Sequence, residues 1–381
     1  QVEAASKDFS KFSEAELNTK PLSYGPYYFD KVVNGESVLA KANPYFYKKD
    51  DVKIKEIEYK VVSPAQASAV IKNGEIDYMK SLTTGVYEGV KDAKNGTVLG
   101  QPDFYMSYIG FKLGKYDKEK GESVVDPNAK AADVRVRQAF GYAVDWDQIN
   151  EKIYKGLRFT ATDSGLYPPR RGPMFYNKDG KKFTKDVEKA KKLLDEAGLK
   201  DTDGDGLRED KNGKKLTFNF AIRNVGQDFD QTLADTFIKS WKEVQLVDGK
   251  LMSPKDWSQR VQADDPQIDI FQGAWGLGSN PNPSGLIGPT SPLNYTRYTS
   301  DTLTKNLEAL SSQDMFDDEK LKAAYRKFDT DFANEVPWLP FSWATEMTWV
   351  NKRVKNLDLN KMNLGEQKLY QLELTSDTGA K

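Results

Sequence analysis

Three groups of residues in this chain have the types and spacing to do chemistry. The first is Asp201-Thr202-Asp203-Gly204-Asp205-Gly206-Leu207-Arg208-Glu209. Alternate carboxylates on a tight loop converge on one hard cation, a glycine at the sixth position permits the turn, and the seventh residue offers its carbonyl. One reading is a structural Ca2+ site made by Asp201, Asp203, Asp205, Leu207 and Glu209. Against it, the twelfth position is Asn212 in place of a bidentate Glu, and Lys200, Arg208 and Lys211 would partly neutralise the loop. The other reading is an Asp/Gly-rich turn joining a helix that ends near Leu199 to a strand at Leu216. In neither case is the loop catalytic.

The second group is Gly273-Ala274-Trp275-Gly276-Leu277-Gly278-Ser279-Asn280-Pro281-Asn282-Pro283, read as a loop leaving the carboxyl end of a buried strand at 268–271. Open α/β sheets hold ligands at that position. Glycines expose backbone N–H and C=O groups, and Trp275 is either a flat apolar wall or a packing residue at the loop base. No Lys-Ser/Thr follows and no helix opens at the third Gly, so a phosphate loop is a poor reading. The third group is the acids Asp145, Asp147, Asp264, Asp265 and Asp269. A pair of them could serve a glycosidase, which needs neither histidine nor cysteine. Asp145 and Asp147, however, lie on the polar side of a helix, where solvation is the ordinary role.

The 381 residues include no Cys and no His. Disulfides, thiolate zinc sites, Cys nucleophiles, Ser-His-Asp triads and imidazole metal ligands are therefore all excluded. Lys and Arg number 56 against 57 acids, so no overall field exists to hold nucleic acid or an anionic membrane. Mean hydropathy is −0.70. No apolar run approaches the roughly 20 residues that span a bilayer. Aromatic residues are abundant, with 19 Tyr, 19 Phe and 7 Trp. Tyr167, Tyr295, Tyr298, Trp338 and Trp343 read as loop residues, which suits peptide binding, sugar binding or core packing alike.

The elements that must position these groups follow from periodicity and punctuation. A strand is expected over 52–62, with a bulge where the alternation slips phase. Ser63 then caps a helix that has Pro64 at its first position and ends at Asn73-Gly74, and a short strand follows at 76–79. This is a βαβ-like unit. The same grammar returns as a strand at 216–222, a helix striped by Phe229, Leu233, Phe237, Trp241 and Val244, and the strand at 268–271. Both units close on an acid in the returning strand, Asp77 and Asp269. Asp133 and Thr184 are expected to cap further helices, the latter stopped by Gly198, and Leu321, Tyr325, Phe328 and Phe332 stripe a last one before Pro337. The pattern is α/β, with two lobes of related build.

These motifs fall in an order that resembles the extracellular oligopeptide- and dipeptide-binding proteins of ABC importers. Tyr24-Gly25-Pro26-Tyr27 and Asn43-Pro44-Tyr45-Phe46 resemble that family's GTGPY and NPxYW pair. Val134-Arg135-Val136-Arg137-Gln138-Ala139-Phe140, with Ala143-Val144-Asp145, resembles VRQAlsyAiD. Lys189 to Gly198 resembles KAKkLLaeAG, and Trp275 to Pro283 with Asn294, Tyr295 and Tyr298 resembles GW…DPdP…N…Y.

The resemblance implies a bilobal, periplasmic-binding-protein-like class II fold with mixed sheets flanked by helices. Residues 1–107 and 343–381 would share one discontinuous lobe, and 108–342 would form the other. With only 23 residues before the GPY motif, the chain is expected to be a C-terminal fragment lacking the family's extra domain. The implied function is capture of oligopeptides between the lobes and delivery to the permease subunits of an ABC transporter, without catalysis. No cofactor is required beyond a possible structural Ca2+, and nucleic acid is not a partner. The expected form is a monomer, extracellular and held in the full-length protein by an N-terminal lipid. Implied ligand groups are Trp275, Gly276, Leu277, Gly278, Ser279, Asn280, Asn294, Tyr295 and Tyr167. Where enteric-type members carry acids after the Trp to hold the peptide amine, this chain has Ser279, Asn280 and Asn282, which implies loose terminal anchoring. An oligosaccharide receptor of the same fold and a two-carboxylate glycosidase are the alternatives.

Overall fold

The computed structural model describes residues 21–161, 177, 181–210, 212–224, 230–246, 248–277, 282–363 and 365–379. The chain divides into two units, residues 1–100 with 346–381, and residues 101–345.

The first unit opens with an antiparallel meander of β1 (Tyr27–Val33), β2 (Ser37–Ala42) and β3 (Glu56–Lys60). Buried Asn43 ties its entry together. The Asn43 amide donates to the carbonyls of Ser23 (3.2 Å) and Gly25 (3.0 Å), while its oxygen accepts the Tyr45 N–H at 3.0 Å. The Gly25-Pro26 and Asn43-Pro44 motifs are thus one local structure. The expected strand over 52–62 is shorter than its pattern, because Val52 is buried at the end of a 3-10 turn and only Glu56–Lys60 pairs with β2. The phase slip marks the entry to the strand, and no bulge forms.

Helix α1 (Pro64–Lys72) has the expected start and stop, with Asn73 at its end and Gly74 at φ +76°. The Ser63 hydroxyl, however, donates to the Gln66 side chain (2.8 Å) and does not cap the helix. After it come β4 (Tyr78–Met79) and α2 (Thr84–Val90). Strands β3 and β4 belong to different sheets, so the expected βαβ unit does not exist here.

Strand β5 (Gly96–Phe111) leads from the first unit into the second. There β6 (Gly114–Asp117) and β7 (Glu122–Val125) form a hairpin, α3 (Val134–Tyr142) is capped by Asp133, and β8 (Phe159–Thr160) follows. Helix α4 (Val187–Glu196) is capped by Asp186 and not by Thr184, and Gly198 behind it takes φ +82°. The chain then builds β9 (Asn219–Arg223), α5 (Asp230–Lys242), β10 (Asp248–Met252), α6 (Pro254–Gln262) and β11 (Ile270–Gly276). Strand β9 pairs in parallel with both β10 and β11, and β11 pairs antiparallel with β5. Strand β10 and helix α6 are insertions into the expected strand–helix–strand unit. Phe229 of the expected helix stripe lies outside the described residues.

Side-chain alternation sorts this sheet's residues between two cores. Ile109, Phe111, Phe220, Ile222 and Ile270 join one core with α3, α4 and α5. Met106, Tyr108, Ala221 and Phe271 join the other with residues of α6, α7 (Asp301–Ala309) and α8 (Asp318–Glu335). In the first core, the Trp241 ring lies 4.7 to 5.2 Å from those of Phe220, Phe140 and Phe237. Strand β12 (Trp338–Asn351) lies beside β5. It carries Trp338 and Trp343 fully buried, so these are core residues and not the loop aromatics expected. The chain then returns to the first unit, where the far end of β12 pairs with β4, and β13 (Val354–Lys355) with β14 (Glu373–Leu374). There Arg353 grips Asp77 through two bonds of 2.5 and 2.6 Å.

Arg137 of α3 is the residue around which the second unit is assembled. It is 2% exposed. Its guanidinium donates to the carbonyls of Ala131 and Ala132 (2.7 Å each), Glu335 (2.6 Å) and Val336 (2.9 Å). The last two are helix-terminal carbonyls of α8, where Val336 turns left-handed at φ +48°. Burial pushes the guanidinium below its ordinary pKa, and its ring neighbour is Tyr298, 5.2 Å away. Replacing Arg137 by Met strands four buried carbonyls and is expected to cost about 3 kcal/mol. Arg137→Lys should recover only part, because an ammonium cannot reproduce the planar fork. The urea midpoint of each variant measures this.

Candidate functional site

Trp275 sits at the end of β11, opposite Met106 of β5, and Gly276 lies opposite Tyr105. The Leu277 N–H still donates to the Phe104 carbonyl (2.9 Å). The segment 273–276 is therefore strand, and the expected glycine loop begins two residues beyond Trp275. The glycines are there for packing. A Cβ on Gly273 would come within 2.6 Å of the Tyr108 ring, and one on Gly110 within 2.4 Å of the Phe271 ring. Gly276 is exposed, and a Cβ there would only graze the Tyr105 ring at 4.0 Å.

The Trp275 ring is half-buried and leans on Tyr295, with centroids 5.2 Å apart and planes at 34°. Tyr295 is itself braced edge-on by Trp257 at 6.4 Å. Beside them, burial pushes the Tyr108 phenol far above its ordinary pKa. The result is a stiff aromatic step next to an exposed strand end. Asn294 differs from the expectation. It is 1% exposed, and its amide donates to the carbonyls of Tyr298 (2.9 Å) and Ile287 (3.3 Å) while its oxygen accepts from Thr296 (3.0 Å). The Asn294 amide holds the loop together and is spent on backbone. Leu277 is buried, whereas Gly278, Ser279, Asn280 and Tyr167 lie outside the described residues.

Behind Tyr295 is a buried ion cluster of residues whose joint role their sequence positions do not reveal. Lys112 donates to Asp264 and to the carbonyls of Tyr295 (2.9 Å) and Val261 (3.0 Å). Arg297 donates to Asp264 (2.8 Å) and to the carbonyls of Pro292 (3.0 Å) and Gln262 (3.1 Å). Asp264 and Arg297 both hold left-handed backbone, φ +54° and +59°. Burial would raise the Asp264 carboxyl, but Lys112 and Arg297 hold it below its usual range. Lys112 is lowered to about 8, first by burial, which outweighs the pull of Asp264. The only trace in the sequence is a lysine directly after an apolar strand.

The other acids weighed for hydrolysis are likewise engaged. Asp145 caps the short helix at 146–148 and Asp147 accepts from Thr160. Asp265 binds Arg260 (2.5 Å), and Asp269 takes Lys130 and the Asn219 N–H (2.8 Å each).

In the Asp-rich loop, carboxylate oxygens of Asp201, Asp203, Asp205 and Glu209 lie within 4.8 Å of one another. Arg208 does not neutralise it. That guanidinium is buried and bonded to Asp195 (2.6 Å) and the Leu199 carbonyl (2.5 Å). Lys211 lies outside the described residues, and Lys215 is the cation that reaches Asp203 and Asp205.

The second unit is thus an α/β sheet covered on both faces, with an aromatic step at a strand end. Residues 1–296 match the bacterial extracellular solute-binding proteins, family 5 Middle, and the chain belongs to that family. The oligopeptide-binding protein OppA of Lactococcus lactis is 35% identical over 372 residues, 95% of this chain and 60% of its own length. The chain thus spans about three fifths of that relative. Lactococcal OppA, solved closed on an endogenous peptide, superposes with a TM-score of 0.83 at 30% identity over 97% of this chain and 68% of that one. AppA of Bacillus subtilis, solved with a nonapeptide, shares the fold with a TM-score of 0.74 at 20% identity, over 99% of this chain and 72% of that one.

Lys112 gives the site a measurable signature. Its pKa is lower folded than unfolded, so between about pH 8 and 10.5 the unfolded chain binds the extra proton and stability rises with pH. The stability of the wild type relative to Lys112→Met should therefore climb from pH 8 to pH 10 and be flat below pH 7. Urea titrations of both proteins across that range check the slope.

Proposed function

We propose that this chain is part of an extracellular receptor that captures oligopeptides and delivers them to the permease of an ABC importer. Family membership supports a solute-binding role, and the peptide complexes of lactococcal OppA and AppA support the choice of peptide. The observation that carries the reading is the Trp275–Tyr295 step beside the exposed backbone of Gly276. A peptide of arbitrary sequence can be gripped only through its backbone, with adaptable apolar walls for its side chains.

The receptor only grips and releases, performs no catalysis and acts as a monomer. Residues 1–107 with 343–381 are assigned to one lobe and 108–342 to the other, and a lipid at the N-terminus of the full-length protein tethers it. The ligand's amine is held without a carboxylate. Ser279 and Asn280 are neutral, and the Asn282 amide donates to Ser311 (2.7 Å).

Calorimetry on the full-length protein tests this. Mixed peptides, including a nonapeptide of the size held by AppA, should bind, and Trp275→Ala should weaken them about tenfold or more, the loss expected for an aromatic anchor. N-acetylation should change affinity by less than about threefold, since no charge-assisted bond is lost. Binding of an oligosaccharide but no peptide, or turnover of a glycoside, overturns the function. A large loss on acetylation overturns the neutral anchoring alone.

A further inference from the structure

We propose that the loop from Asp201 to Glu209 binds one Ca2+ ion, which rivets the end of α4 to the approach to β9. The loop is shaped for convergence. Gly204 and Gly206 take φ +79° and +87°, and their N–H groups donate to the two oxygens of Asp201 at 2.7 and 3.0 Å. The Gln245 amide fixes Asp201 from α5's end at 2.8 Å. One carboxylate oxygen from each of Asp201, Asp203, Asp205 and Glu209 then lies within 4.8 Å of the others, the kind of oxygen cage that holds a hard cation.

The independent pointer is Glu209. It is 4% exposed and forms β-bridges with both Lys200 and Lys215. Its Oε2 accepts the Thr202 N–H and hydroxyl, each at 2.7 Å. Its Oε1 is buried with no hydrogen-bond partner. A buried carboxylate oxygen without a donor is costly, and native structures satisfy such atoms. The Lys215 ammonium does not satisfy it, because its ion pairs are with Asp203 (3.3 Å) and Asp205. Lys215 is itself nearly half exposed and free to swing into solvent.

A divalent cation among the four carboxylates would give Glu209 Oε1 its partner and displace Lys215, with the Leu207 carbonyl available at the seventh position. Several carboxylates on a flexible loop favour Ca2+ over Mg2+, which keeps its waters and demands stricter geometry. The competing ammonium places the affinity at the weak, extracellular end of the Ca2+ range, on the order of 10⁻⁴ M.

The protein purified in EDTA is titrated with CaCl2 and with MgCl2 by calorimetry, and its thermal midpoint is followed in parallel. The expected result is one Ca2+ per chain, at least about tenfold tighter than Mg2+, with a midpoint raised by several degrees at millimolar Ca2+. Lys215→Met should bind Ca2+ more tightly, by about threefold or more, because the internal competitor is gone. Glu209→Gln should lose about tenfold in Ca2+ affinity while its midpoint in EDTA does not fall. No heat and no midpoint shift at 10 mM Ca2+, in wild type and Lys215→Met alike, overturns the proposal, as does Ca2+ affinity unchanged by Glu209→Gln. The Lys215 variant keeps the test decisive if Glu209→Gln fails to fold.

Discussion

Four backbone carbonyls from two segments need a donor at one buried point, and the guanidinium of Arg137 is what supplies it. A helix C-terminus buried without partners is costly, and α8 ends inside the protein because Arg137 reaches it from α3. The chain can then turn at Val336 and enter β12 with Trp338 pointing into the core. The same guanidinium lies over Tyr298, whose hydroxyl donates to Glu335 at 3.0 Å. One residue thus fixes a helix end, a strand start and one end of the loop that carries Tyr295.

From there the constraint passes to the site through short polar links. The Tyr298 carbonyl accepts from Asn294, and Asn294 organises the turn that presents Tyr295. On the other side, Lys112 holds the Tyr295 carbonyl and is held by Asp264 and Arg297. The aromatic step is therefore clamped from two directions by buried polar groups. Such a support suits a receptor for variable ligands, because the walls can be rigid while ligand side chains differ.

Features set by local chemistry were legible in the sequence. The Asp133 cap, the Pro64 start, the Gly198 stop and the stripes of α5 and α8 depend on residues within a turn or two of each other. The family's motifs were legible too, but their physical reason was not, since Asn43 meets Gly25 only across a folded meander. Sheet partners were the main loss. The patterns of β3 and β4 say nothing of which strand each joins, and the pairs of β12 lie more than a hundred residues away in sequence. Trp338 and Trp343 read as loop aromatics because Pro337 and Pro340 interrupt the segment, whereas a buried strand between β5 and β4 absorbs both. In the site, Trp275 and Tyr295 were legible by type, whereas the cluster behind them was not, because three isolated charges acquire meaning only on burial.

The paired glycines of the central sheet have a further effect. Gly110 faces Phe271 and Gly273 faces Tyr108 across the β5–β11 ladder, so each strand supplies a vacancy for the other's ring. Sliding one strand by a single residue would drive the rings out of their sockets and carry Trp275 to the opposite face of the sheet. The pair works as a key with two teeth. The location of the aromatic step is thereby encoded in the sizes of four residues well inside the protein, none of which needs to touch a ligand.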